Sequence, residues 1–368
     1  MRHNKFIDNV ILRPMSIIYG MVVGLRNKLF DWGILKEKVY PIPVVVVGNL
    51  SVGGTGKTPH TEYIVEALKS EYRIGILSRG YKRSTKGFVL ASRHSTPWDI
   101  GDEPYQMYQK FGQEVRVAVC EKRTKGIEEL CRIDPTINLI VLDDAFQHRY
   151  VKPSASVVLM EWNRPVYNDD ILPLGRLRES AHGLLRCDFV VITKCPREVR
   201  PMDVRLIYDH LGLYAYQKVF YSRYNYGNLV SVFPDECTYI PNLSWLTGDD
   251  NVLLVSGIAN PRPLFRYLKA FKAEVKMKRF PDHHQFSRKD FDEVLKAFNG
   301  LPGKNKIIVT TEKDSVRIVN SPYYPHELKP YTFYLPIKVD FLPFKMPGMG
   351  GSFESELKNK LRNPSPIT

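Results

Sequence analysis

Val44-Val45-Val46-Val47-Gly48-Asn49-Leu50-Ser51-Val52-Gly53-Gly54-Thr55-Gly56-Lys57-Thr58 decides the fold class of this 368-residue chain. Four consecutive valines cannot face water on either side, so they read as a strand buried on both faces, the habit of a parallel sheet. The strand runs into glycines whose backbone N–H groups can curl around phosphate oxygens. A helix then begins, and its N-terminus adds partial positive charge. In such a loop Ser51, Val52, Gly53, Gly54, Thr55, Gly56, Lys57 and Thr58 cradle a nucleotide, with Lys57 on the β and γ phosphates and Thr58 on Mg²⁺. Ser51 stands where the strict pattern has glycine. Pro59 falls in the first helical turn, where a missing N–H is tolerated.

Outward from the loop, further apolar runs alternate with helical segments. The strands expected are Ile42–Gly48, Arg73–Leu77, Val115–Val119, Asn138–Leu142, Ser156–Met160 and Phe189–Thr193. The helices expected are Gly56–Ser70, Asp102–Phe111, Glu121–Arg132 and Pro201–Leu211. This alternation implies an α/β fold of the P-loop NTPase type, a mostly parallel sheet with helices on both faces. From about Val219 the texture becomes aromatic and loop-like before a second α/β set begins. We therefore expect a core over 1–220 and a smaller α/β domain with a tail over 221–368. The run Asn138-Leu139-Ile140-Val141-Leu142 ends in Asp143-Asp144. Carboxylates at the carboxyl end of a buried strand face the ligand crevice and suit Mg²⁺.

The formal charge of +14 implies an anionic partner without choosing one. No basic stripe with interleaved aromatics and no nucleic-acid signature is present, so no nucleic-acid partner is expected. Nor does any feature point to a protein partner. The five cysteines, Cys120, Cys131, Cys187, Cys195 and Cys237, contain no C-x-x-C pair, which argues against a disulfide framework or zinc site. Near the start, the uncharged stretch Pro14–Leu25 is 12 residues, too short to span a bilayer. It lacks a small-residue cleavage site, so a signal peptide is not expected. Ile11, Leu12, Met15, Ile18, Tyr19 and Val22 share one helical face, with basic residues at both ends. Either an in-plane helix on an anionic membrane surface or a helix packed on its own domain fits that pattern.

Taken together, several motifs resemble the tetraacyldisaccharide 4′-kinase family. They are Gly48 through Pro59; Ser78-Arg79-Gly80-Tyr81; Gly101-Asp102-Glu103-Pro104; Asp143-Asp144-Ala145-Phe146-Gln147-His148; Leu172 through Glu179; and Phe280-Pro281-Asp282-His283-His284. The likeness spans roughly residues 10 to 340. Ala145 replaces the glycine usual there, which bears only on the local turn.

The resemblance implies transfer of the ATP γ-phosphoryl group to the 4′-hydroxyl of a tetraacylated glucosamine disaccharide 1-phosphate. The product would be lipid IV-A, made peripherally at the cytoplasmic face of the bacterial inner membrane. It places a catalytic base at Asp102 and a histidine partner at His283, with His284 pointing elsewhere. Thr58, Glu103, Asp143 and Asp144 are the expected Mg²⁺ environment. Arg79, Arg123, Arg176 and Arg178 are expected to hold phosphate or sugar oxygens, since arginine forks match phosphate. Tyr81, Gln147 and His148 would line the sugar site. Read without the family, Asp102 is a helix cap and His283 a loop histidine.

A nucleotide switch of the partitioning or metallochaperone kind is the rival reading. Such loops carry a lysine before the double glycine, where this chain has Val52. Thr193-Lys194-Cys195-Pro196 also lacks the aspartate of a guanine reader.

Overall fold

The computed structural model of the chain describes residues 8–282, 284–303, 305–344 and 350–363. After helix α1 (Arg13–Asp31) come β1 (Val44–Asn49), α2 (Lys57–Leu68), β2 (Ile74–Ser78), β3 (Val89–Leu90), the one-turn α3 (Pro97–Ile100) and α4 (Asp102–Phe111). Then come β4 (Arg116–Val119), α5 (Arg123–Ile133), β5 (Leu139–Asp143), β6 (Ala155–Glu161), β7 (Phe189–Thr193), α6 (Pro201–Leu211) and β8 (Lys218–Tyr226). A second run holds β9 (Val230–Ser231), β10 (Asn251–Ser256), α7 (Arg262–Leu268), β11 (Glu274–Arg279), α8 (Arg288–Asn299), β12 (Lys306–Thr311), α9 (Glu312–Val319) and β13 (Thr332–Leu335). The chain continues through β14 (Ile337–Phe341) to α10 (Phe353–Arg362).

Nine strands form the large sheet in the order β14-β8-β7-β6-β1-β5-β2-β4-β3, and five form the small one, β11-β10-β12-β13-β9. The large sheet is parallel except at its two edges, where β3 and β14 run antiparallel to their neighbours. The valine run explains why β1 is central. Val44 and Val46 point into one buried cluster, while Val45 and Val47 point into the other. Helices α2, α4 and α10 cover the second face, and α5 and α6 the first. Each such valine contributes roughly 1.5–3 kcal/mol on burial, so no exposed-edge register competes.

β1 pairs with β5 in the register Val47↔Asp143 and with β6 on its other side. The loop after β1 and the aspartates after β5 therefore leave the sheet side by side. This is the crevice where open α/β sheets bind ligands.

The domain division expected at residue 220 is corrected. It falls inside β8, which belongs to the large sheet, and β14 returns from the small domain to pair with β8 through Asp340↔Arg223. The tail helix α10 also rejoins the core. Phe353 stacks on Phe341 at 4.5 Å, and Lys218 pairs with Glu356 at 2.7 Å. The aromatic texture of 219–226 read as a change of domain. It belongs instead to an edge strand whose faces are covered by the returning chain.

Helix α1 inverts ordinary packing. It docks through small and polar residues: Ser16 Oγ donates to Ile171 O at 2.7 Å, and Gly20 sits against the Ile171 side chain. Further along, Asn27 Nδ2 donates to Glu179 Oε2 at 2.8 Å, and Phe30 is buried between Arg26 and Arg149. Ile11, Met15, Ile18 and Val22 of the expected apolar face point outward instead, with Val22 62% exposed. Ile17, Met21 and Leu25 join them. Among the described residues no helix is long and apolar enough to cross a membrane.

Candidate active site

Gly56 caps the start of α2 at φ 96°, and a Cβ there would lie 1.7 Å from the Tyr224 hydroxyl, so only glycine fits. The loop is held open by its neighbours. Asn49, at the end of β1, donates from Nδ2 to Thr55 Oγ1 at 2.8 Å and accepts from Lys57 Nζ at 3.4 Å. Thr193 Oγ1 donates to Thr55 O at 2.9 Å. Lys194 reaches Gly54 O and pairs with Glu161. From the far side, Val52 N donates to Arg176 O at 2.8 Å and Arg178 N to Leu50 O at 2.7 Å. The segment around Leu177 thus forms a β-bridge to Ser51 that braces the loop.

Beside the loop, Lys57 Nζ lies 3.6 Å from Asp144, whose carboxylate also accepts from Arg178 Nη1 at 3.0 Å. Burial alone would raise the Asp144 pKa, but Lys57 and Arg178 hold it below the usual carboxylate range. Asp144 adopts φ 47°, a left-handed conformation that aspartate tolerates. Asp143 behaves oppositely. It is buried, accepts from Thr61 Oγ1 at 3.0 Å, and is pushed up to about 7 by desolvation and then by Asp144. Opposite shifts on two adjacent carboxylates beside a phosphate loop mark a candidate functional site.

Asp102 and Glu103 begin α4, so their carboxylates sit at a positive helix end. Gly101 at φ 91° makes the turn, packed on Tyr81 O. Neither carboxylate acts as a simple cap. Asp102 pairs with Arg317, and Glu103 with Lys313 at 2.7 Å, both on α9 of the small domain. Among the described residues no three acidic, histidine or cysteine groups converge on one metal position. Glu103 adds to the upward push on Asp143 but is bound to Lys313.

The expected substrate residues divide. Gln147 donates to Asn49 O at 2.7 Å and Glu179 Oε1 at 3.1 Å, tying the loop to α1 through Asn27. His148 is lowered to about 4, first by burial and then by Arg123, Arg26 and Arg79. It is therefore a neutral ring ringed by three cations. Among the described residues its Nε2 has no hydrogen-bond partner. Arg123 is buried, donating to Cys120 O at 3.0 Å and Glu121 O at 3.2 Å, with Asp144 O at 3.5 Å. Arg79 and Arg176 are exposed. Tyr81 lines an interdomain cleft with Trp98, Asp102, Phe286, Arg317 and Tyr323. His283 lies outside the described residues. His284 turns away, bonded to Asp290 at 3.0 Å and stacked on Phe280.

Sequence reasoning assigned no role to Asn49, Glu179, Lys194, Lys313 and Arg317. Asn49, Glu179 and Lys194 stood inside quoted motifs, but a motif does not say what its members bond to. Arg317 had no signal at all.

The chain matches the model of the family described as LpxK, tetraacyldisaccharide-1-P 4′-kinase, over residues 9–356. A tetraacyldisaccharide 4′-kinase of Bacteroides thetaiotaomicron is 46% identical over 96% of this chain and 94% of its own length. One from Porphyromonas gingivalis is 40% identical over 91% and 93%. Among solved structures, LpxK from Aquifex aeolicus, described as an "apo" form in complex with ATP, superposes with a TM-score of 0.70. It is 29% identical over 95% of this chain and 96% of that one.

Proposed function

The chain belongs to the tetraacyldisaccharide-1-P 4′-kinase family, and on that premise we propose that it moves the ATP γ-phosphoryl group to the 4′-hydroxyl of a tetraacylated disaccharide 1-phosphate, yielding lipid IV-A, with Asp102 as the base. It is a kinase, as its relatives are. The observation that carries the reading is the side-by-side exit of the phosphate loop and Asp143-Asp144, with Lys57 3.6 Å from Asp144.

The donor set fits Mg²⁺. Asp143 offers a buried carboxylate, Asp144 follows it, and Thr58 follows Lys57, whose Nζ lies 3.6 Å from Asp144. Magnesium commonly takes one or two carboxylates and completes its shell with phosphates and water, so three converging acids are not required. When bound it supplies charge neutralisation on the phosphates. Glu103 then serves as an outer acid, held by Lys313.

In the transfer, Asp102 accepts the 4′-hydroxyl proton as that oxygen bonds to the γ-phosphorus. The bond to the β-phosphate oxygen breaks, and ADP leaves against Lys57. An aspartate is a weak base, and His283 is the partner that relays its proton. Neutral His148 and Gln147 suit sugar hydroxyls. Arg26, Arg79 and Arg123 give their surroundings a positive field for the 1-phosphate, with Arg178 and exposed Arg176 nearby. Tyr81 offers a face for the sugar at the cleft mouth.

The outward apolar side of α1 supports a peripheral seat on an anionic leaflet, the cytoplasmic face of the inner membrane. Inserting Ile11, Met15, Ile18, Val22 and Leu25 is worth on the order of 10 kcal/mol before ordering costs. The same helix touches Glu179 and Gln147, so the leaflet lies beside the acceptor site.

Incubation with γ-labelled ATP, Mg²⁺ and the disaccharide 1-phosphate in detergent micelles tests the reading. Label in a doubly phosphorylated lipid, lost in Lys57→Ala, is expected. ATP hydrolysis with no labelled lipid would return the chain to the nucleotide-switch class.

A further inference from the structure

In the cleft between the two sheets, the Arg317 side chain reaches both Asp102 of the core and the backbone of His284 in the small domain. Arg317, on α9 of the small domain, is almost fully buried. Its Nη2 donates to Asp102 Oδ2. Its Nη1 donates to His284 O at 3.4 Å and to Asp314 Oδ1 at 3.4 Å. Asp314 is itself fixed: its carboxylate accepts from Gly257 N at 2.9 Å and Thr311 Oγ1 at 2.7 Å, and its side chain is fully buried. The guanidinium is thus anchored on the small domain, with one nitrogen on the aspartate of the core.

We propose that Arg317 is a positioning residue for the transfer, setting the Asp102 carboxylate from helix α9 of the small domain.

Three observations favour this over a simple domain staple. First, a planar guanidinium fixes direction as well as distance, and its two terminal nitrogens meet different partners. Second, Lys313, one turn earlier on the same helix, holds Glu103, the residue after Asp102. Two cations four apart on α9 thus grip two adjacent acids on α4, which fixes both the position and the rotation of α4's first turn. Third, the grip is backed further along both helices. Lys110 of α4 pairs with Glu62 of α2, and Glu312 of α9 approaches Lys110 to 4.0 Å. Since α2 carries the phosphate loop at its start, these contacts tie the loop's helix to α4 and α9. A carboxylate displaced by about 1 Å can cost on the order of 100-fold in rate, so an orienting cation acts through geometry as well as charge.

The proposal rests on the reading of Asp102 as base, and a double-mutant cycle separates the two. Arg317→Gln, Arg317→Lys, Asp102→Asn and Arg317→Gln/Asp102→Asn are compared by kcat and KM for ATP, with melting temperature recorded. Arg317→Gln is expected to lower kcat about 10- to 100-fold with KM for ATP held. Arg317→Lys, which keeps the charge but loses the fork, should fall between. In the Asp102→Asn background the same change should cost less than about twofold. Additive losses, or a parental kcat in Arg317→Lys, overturn the proposal while leaving the base in place. Near-normal turnover in Asp102→Asn overturns the base reading itself. If Arg317→Gln does not fold, Arg317→Lys decides: a parental kcat at a parental melting temperature overturns the fork.

Discussion

Arg178 donates to Asp144 Oδ1 at 3.0 Å from a residue whose own N–H is bonded to Leu50 O at 2.7 Å, next to Ser51 at the mouth of the phosphate loop. One residue therefore braces the loop with its backbone and sets the charge of an acid with its side chain. Arg178→Ala keeps the first bond and removes the second. A charge-assisted hydrogen bond is worth about 1.5–3 kcal/mol. The expected outcome is a 10- to 100-fold loss in kcat/KM for ATP by about that energy, with the melting temperature little changed. A variant with parental kcat/KM would remove Arg178 from the nucleotide site.

The proton relay predicts a second pattern. Asp102→Ala and His283→Ala should each cut kcat by orders of magnitude while equilibrium ATP binding persists, since neither belongs to the phosphate loop. Isothermal titration with ATP beside single-turnover lipid labelling reads both. Turnover close to the parent in either variant would take that residue out of the mechanism.

The outward face of α1 makes a claim on vesicles. Ile18→Glu/Val22→Glu should abolish flotation with anionic vesicles and leave the melting temperature unchanged, because both side chains already face solvent. Parental binding should also weaken as salt rises, since basic residues flank the helix. Undiminished flotation of the double variant would place the membrane contact elsewhere.

A buried histidine gives a pH signature. His60 is bonded by Nδ1 to Gly56 O and by Nε2 to Ser222 Oγ, each at 2.8 Å. Burial lowers its pKa from 6.5 to about 4, so it stays neutral in the fold. The unfolded chain then binds the proton first. Stability is fully present above pH 6.5 and falls as pH drops toward 4, by up to about 3 kcal/mol. Urea unfolding at pH 7.5 and pH 5 (assay settings of about those values) should show the loss in the parent and a smaller one in His60→Gln. Equal losses would mean other groups dominate.

The tail offers a stability test. Phe353 is buried against Phe341, Phe220 and Phe189. Phe353→Ala should cost about 3–5 kcal/mol, the range for a core aromatic. A loss below about 1 kcal/mol would show α10 to be a loose appendage.

By itself the sequence determined the parts that are written locally. Val44 to Thr58 carries strand, loop and helix in one stretch, because an unbroken apolar run, glycines and a Lys-Thr pair each constrain their own backbone. Helices Asp102–Phe111 and Pro201–Leu211 and strand Phe189–Thr193 ended where expected for the same reason. Tertiary structure decided whatever depends on residues distant in the chain. β14 and α10 return to the core because β8 and the Phe220 face need cover, a demand no local pattern in 337–362 announces. Helix α1 faces outward because Ser16, Gly20 and Asn27 find partners at Ile171 and Glu179, whereas periodicity alone allowed either face to be buried. Asp102 meets Arg317 across 215 positions. Such a pairing is set by how two sheets pack, and a single sequence records the charges without recording which of them meet.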